Sequence, residues 1–244
     1  MCYHTIVLYL QQRLLTPLDV GIISREKNDN KEELDMSNTN QKTSVLSIKS
    51  LTLLGLLTAI VMLFSFTPIG SIPIGPLVIT LNVIPIAIAA IALGPFGGAV
   101  IGGVFGLMSF LQCVGIGVPS AMGEILFNIN PFLAFVQRFV PRLLDGFLVG
   151  LLFMLLSKIG NKYAACCITG FLTAFLNTAF FMSALVLLFG NTEYMKRTMD
   201  GKSFLPFVVS FVGVNAIVEM AAATIISGAV GFALIKAGFV KIKK

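Results

Sequence analysis

From Ser50 onward the chain is built of long apolar stretches punctuated by Gly, Pro and a few polar residues, with no period-2 alternation. Six apolar spans can be read, at Ser50–Phe66, Thr80–Leu93, Pro95–Val114, Pro131–Ser157, Tyr163–Phe189 and Phe204–Ala237. At about 1.5 Å per helical residue these lengths suit a hydrocarbon core of about 30 Å. Transmembrane β-strands would alternate apolar and polar residues in ~10-residue segments, which these do not. The expected fold is therefore an all-α integral membrane bundle of six helices. The second span is short and contains Pro85, which predicts a kinked or partial crossing.

Charge sharpens this picture. Only 11% of the 244 residues are charged and 57% are hydrophobic, against about 25% charged in soluble domains. No Lys, Arg, Asp or Glu occurs between Ser50 and Gly123, a run more than three times the ~20 residues one span requires. The first 49 residues differ: six basic and six acidic side chains sit in a polar tail that is expected to be disordered. Lys31-Glu32-Glu33 can be encoded as a ribosome-binding sequence, with Met36 at a bacterial start-site spacing. Residues before Met36 therefore read as an over-extended coding frame.

Basic residues orient the bundle. Lys42 and Lys49 precede the first span, Lys158 and Lys162 join the fourth and fifth, and Lys236, Lys241, Lys243 and Lys244 close the chain. With six crossings all of these share one side, which the positive-inside rule makes cytoplasmic, with both termini there. The segment Gly190–Ser203 runs against the rule, carrying Lys196, Arg197 and Lys202 beside Glu193 and Asp200.

Gly98, Gly102 and Gly106 recur every four residues, as do Ala223, Ser227 and Gly231, and Gly55 pairs with Ala59. Such small-residue faces let membrane helices approach closely, and internal packing is the plainer expectation for them. Polar groups inside the spans are costlier, about 2.5–3.5 kcal/mol for a charge at mid-helix. Arg138, Arg142 and Asp145 fall within about 60° of one another on a helical wheel, and Arg142 lies about 16 Å along the helix from Pro131. Asn215 and Glu219 share a face, and Asn82, Gln112 and Asn177 add neutral polarity. Two readings are open: an inter-helix salt-bridge network, for example Arg142 with Asp145 or Glu219, or a solute site.

Catalytic chemistry finds little to work with. The one histidine, His4, is in the tail, so the membrane part has no His-based triad or His metal site. Cys2, Cys113 and the adjacent Cys166-Cys167 lack ligand or disulfide spacing. No GxxxxGK[ST] phosphate loop is present, so the chain does not hydrolyse ATP in the usual way. No cofactor, metal or nucleic acid is implied.

The run "FTPIGSIPIGPLVITLNVIPIAIAAIALGPFGGAVIGGVFGLMSF", followed by "VPRLLDGFLVGLLF" and "NAIVEMAAATI", resembles the substrate-binding S components of energy-coupling factor (ECF) vitamin transporters of the bacterial cytoplasmic membrane. It is most similar to pantothenate-type members, with riboflavin- and cobalamin-type members as relatives. The likeness implies that the loop with Pro68, Pro73 and Pro76 closes over a vitamin near the outer side. An irregular, uncharged Phe66–Ile79 suits that task, its prolines limiting the entropy lost on closing. The likeness also implies partners: a transmembrane coupling subunit and two ATPases. Family members meet the coupling subunit through AxxxA on the first helix, which Gly55 and Ala59 match in softened form. Asn82, Gln112, Arg138, Arg142, Asn177, Asn215 and Glu219 are the candidate vitamin-binding residues. Paired arginines favour an anionic vitamin, since guanidinium matches a carboxylate. An intramembrane enzyme or a ligand-free scaffold would be the readings from other classes.

One expectation concerns the tail directly. The protein from its native cells is expected to show, by intact mass, no residues before Met36 or Ser37, and deleting residues 1–35 is expected to leave transport unchanged. A native peptide covering Arg25–Asp35 would overturn this.

Overall fold

The computed structural model describes residues 48–68, 70–74, 77–159, 161–201 and 203–240. The expectations for the tail, its disorder and the Met36 start, and for Pro76 fall outside those residues. Ser50–Lys244 forms one compact unit.

In chain order the elements are α1 (Ile48–Phe66), an antiparallel hairpin of β1 (Ser71–Ile74) and β2 (Leu77–Thr80), then α2 (Val83–Leu111). A 3-10 turn at Gln112–Val114 leads to α3 (Ala121–Ile129), α4 (Pro131–Ile159), α5 (Lys162–Phe189), α6 (Glu193–Met199) and α7 (Phe204–Lys236). Among the described residues five helices, α1, α2, α4, α5 and α7, are long and apolar enough to cross a membrane. The protein is an all-helical integral membrane protein with a small hairpin inserted.

Three local expectations are corrected. The second and third expected spans follow one another within α2, joined through a single non-helical residue, Gly94 (φ 71, ψ −159). That conformation is open to glycine and strained for other residues, and Pro95 after it cannot donate to the preceding turn. The bend lies there and not at Pro85. Pro85 is the third residue of α2, where its absent N–H would have had no intrahelical partner anyway. The segment expected to be irregular contains a hairpin in the register Ser71↔Thr80, Ile72↔Ile79, Pro73↔Val78, Ile74↔Leu77. Two short helices, α3 and α6, were not expected. Each begins at a hydroxyl cap, Ser120 Oγ accepting from Gly123 N–H at 3.2 Å and Thr192 Oγ1 accepting from Met195 N–H at 3.3 Å.

α2 is the most buried of the five long helices and α1 the least. The glycine stripe explains why. A Cβ on Gly98 would collide with the Gly146 carbonyl oxygen of α4, one on Gly102 with the Arg142 carbonyl oxygen, and one on Gly106 would lie 2.8 Å from Phe139 Cα. Likewise Gly170 of α5 abuts the Ala223 carbonyl of α7, and Gly231 of α7 sits against Cys166 of α5. Without a hydrophobic drive between helices in lipid, this backbone proximity supplies the dispersion contact that holds the bundle.

Besides a small cluster of Ile91, Phe153, Ala165 and Cys166, the described residues form two larger apolar clusters. One joins Leu57 and Val61 of α1 to Ile84, Ile101 and Phe105 of α2, Ala174 of α5 and Ala223 of α7. The other joins Met122 and Leu126 of α3, Phe181 and Leu185 of α5, Met195 of α6 and Phe207 of α7.

Gly146→Ala is expected to destabilise the purified protein by about 1–3 kcal/mol, because the added methyl must push α2 from α4. Gly55→Ala is the control, since a Cβ there meets nothing within 4 Å. Thermal unfolding in detergent checks both.

Candidate functional site

Between the two clusters lies a polar cavity, with about 670 Å³ of empty space when its open mouth is included. Every long helix except α1 contributes to its wall: α2 gives Phe105 and Ser109, α4 Arg138 and Arg142, α5 Asn177 and Phe181, α7 Asn215 and Glu219. Gln112 of the 3-10 turn, the cap residue Ser120, and Ser71 and Thr80 at the base of the hairpin complete it.

The two guanidiniums dominate its electrostatics. Arg138 and Arg142 are each 5% exposed, and residues four apart share a helix face. Arg138 donates from Nη1 to Ser109 Oγ at 3.4 Å and from Nη2 to Ser120 Oγ at 3.3 Å. Arg142 Nη1 donates to the Arg138 carbonyl at 2.8 Å. Both lie over the Phe181 ring, at 5.1 and 5.0 Å from its centre, and Arg142 also lies 4.5 Å from that of Phe105. Cation–π attraction of this kind contributes about 0.5–2 kcal/mol, far short of the hydration a buried cation gives up. Neither Nε has a hydrogen-bond partner among the described residues.

Carboxylates do not make up the difference. The one ion pair within 4.0 Å among the described residues is the exposed Arg197–Glu193, at 3.6 Å. Asp145, one turn beyond Arg142, is fully buried outside the cavity wall, and neither of its oxygens accepts a hydrogen bond there. Glu219 instead accepts from the Thr80 backbone N–H through Oε1, at 2.7 Å. Among the described residues, then, no ion pair within 4.0 Å joins Arg138 or Arg142 to Asp145 or Glu219.

Of the candidate binding residues, Gln112, Arg138, Arg142, Asn177, Asn215 and Glu219 line the cavity and Asn82 does not. Asn82 is fully buried and donates from Nδ2 to Ser65 Oγ at 3.2 Å, joining the start of α2 to α1. Ser65 is a hub: its carbonyl also accepts from Gln112 Nε2 at 3.1 Å and from Val118 N–H at 3.2 Å. Pro68 is exposed and does not line this cavity, and Pro73 lies in β1. From the hairpin, Ser71 and Thr80 reach the cavity instead. Sequence reading missed these two, along with Phe105, Ser109, Ser120 and Phe181, because a phenylalanine or serine in an apolar span carries no signal until its neighbours are known. Gly55 and Ala59 are both exposed on α1. Among the described residues no three His, Cys, Asp or Glu side chains are grouped to hold a metal.

A lipid-embedded helical bundle enclosing a cationic, hydrogen-bonding cavity beneath a short hairpin defines a membrane solute-binding protein. The chain belongs to the ECF transporter substrate-specific component family, whose sequence model matches residues 49–237. It is 29% identical over 205 residues to a protein of Leuconostoc mesenteroides named pantothenate transporter PanT, covering 82% of this chain and 95% of that one. It is thus a transport subunit, the substrate-binding component of an ECF-type importer, rather than an enzyme.

Proposed function

We propose that this chain binds pantothenate, or a closely similar anionic vitamin, and hands it to an ATP-driven ECF module. The observation that carries the reading is the pair of buried guanidiniums on the cavity wall with no carboxylate within ion-pairing distance. Two cations buried at the rim of an empty polar space are costly unless an anion enters it. One carboxylate from the solute would meet that need with charge-assisted hydrogen bonds. Glu219, Asn177, Asn215 and Gln112 offer partners for its hydroxyl and amide groups. The name of the Leuconostoc relative points to the same vitamin.

In this reading the bundle has six crossings, the second being the short Val83–Leu93 limb of α2 and the third beginning at Pro95. Lys158, Lys162 and Lys236 lie at the cytoplasmic end, with both termini. The hairpin then faces outside as a lid, and the cavity opens to the outer half of the bilayer. Gly55 and Ala59 contact the coupling subunit, whose two ATPases supply the energy; their exposure on the least buried helix supports that role.

Arg142→Ala is expected to weaken binding of radiolabelled pantothenate to the purified chain by about 1.5–3 kcal/mol, the range for a hydrogen bond to a charged group. Lys162→Ala, at the exposed start of α5, should leave binding alone. Equal losses from both, or none from Arg142→Ala, would remove the anion site.

A Gly55→Val, Ala59→Val double variant is expected to bind vitamin normally but to fail to co-purify with the coupling subunit and its ATPases. Branched side chains there would hold two helix backbones apart, and lipid compensates little for the lost contact. Assembly of the variant at wild-type yield would place the interface elsewhere.

A further inference from the structure

The hairpin is tethered at both of its feet, and the two tethers differ in kind. On the first strand, Ser71 Oγ donates to the Phe64 carbonyl of α1 at 2.9 Å. On the second, the Thr80 N–H donates to Glu219 Oε1 of α7 at 2.7 Å, across 139 residues of chain. Ser71 and Thr80 are opposite one another in the hairpin register and both line the cavity. The acceptor of the second tether is a carboxyl oxygen, and hydrogen bonds to an ionised carboxylate are roughly twice as strong as neutral ones. The next residue, Leu81, donates its N–H to the Gly70 carbonyl at 3.0 Å. By antiparallel alternation Thr80, opposite Ser71, is at a non-hydrogen-bonded position, so its N–H depends on a partner outside the hairpin.

Glu219 is 5% exposed and faces the cavity. Its Oε2 takes no hydrogen bond from the described residues. One buried carboxylate therefore touches both the hairpin foot and the volume a solute would fill.

We propose that Glu219 is a positioning residue that latches the hairpin over the cavity. Oε1 holds β2 against α7, and Oε2 is left to receive a hydroxyl or amide N–H of the solute. The solute class that satisfies the whole site is then a monoanionic acid that also carries hydrogen-bond donors. Its acid group meets Arg138 and Arg142, and its donors meet the carboxylate that secures the hairpin. Closure and occupancy share one side chain. This rests on the cavity being the solute site, but the latch itself is a property of the solute-free chain.

Hydrogen–deuterium exchange of the purified full-length chain, without solute, tests it. Glu219→Met keeps the side-chain length and removes the acceptor. Exchange in the hairpin peptide covering residues 70–82 is expected to rise about tenfold or more, the scale of a lost hydrogen bond to a charged group. Exchange in the α2 segment around Gly98–Gly106 should not change. Glu219→Gln retains an acceptor oxygen and should keep the hairpin protected. If E219M opens the whole bundle, Thr80→Pro carries the same test, because it deletes the donor and leaves the carboxylate. Release of radiolabelled pantothenate should be faster from E219M than from wild type, by a similar factor. Unchanged hairpin exchange in E219M, or in T80P where E219M unfolds, would overturn the latch, as would a rise in E219Q as large as that in E219M. Wild-type protein that binds no pantothenate would sink the vitamin assignment instead, with the solute-free exchange still deciding the latch.

Discussion

Backbone carbonyls of α4 resting on the glycines of α2 are the contact on which the rest depends. Gly98 meets Gly146, Gly102 meets the carbonyl of Arg142, and Gly106 meets Phe139 with the carbonyl of Arg138 close by. Burial of apolar surface cannot drive helices together when the surrounding solvent is itself apolar. The two chains of atoms must instead come close enough for dispersion to act over their whole length. A side chain at any of the three α2 positions would forbid that. The same contact fixes the rotation of α4, so Arg138 and Arg142 are turned toward the space between α2, α5 and α7 and away from lipid.

Placement of those cations then shapes the cavity. Guanidiniums left among alkyl chains would be too costly, and the bundle surrounds them with the few groups it has. These are two serine hydroxyls, a main-chain carbonyl and two phenylalanine faces. All are neutral. The charge is solvated enough to be held inside the protein and remains open to an incoming anion. The two apolar clusters on either side give the site rigid walls, with Phe105 from one and Phe181 from the other stacked on the cations.

Over this sits a hairpin secured at its feet. Edge strands in a membrane protein are tolerable where they border protein or a polar space. Here β2 lies against α7, with its last N–H taken by Glu219. The polar groups of the site thus satisfy the backbone as well as awaiting a solute.

Much of this was determined by the sequence alone. Apolar runs of helical length, free of charge over Ser50–Gly123, point to a helical membrane bundle, since lipid leaves the backbone only helices or closed barrels and these runs lack the alternation of barrel strands. The four-residue glycine spacing announced a close helix contact, and the rarity of in-span charge singled out Arg138, Arg142 and Glu219. Tertiary structure alone decided the rest. Pro85 read as the breaker and Gly94 carries the bend, because Pro85 falls in the first turn of α2. The segment after Pro68 holds a hairpin whose Thr80 meets a carboxylate 139 residues away, a pairing no local pattern encodes. Asn82, a candidate ligand residue, braces α2 against Ser65 of α1, while Phe181, which no sequence pattern marked, lies beneath both guanidiniums. Periodicity tells which residues share a helix face. What that face meets is settled by the packing of other helices, and that information is spread across the whole chain.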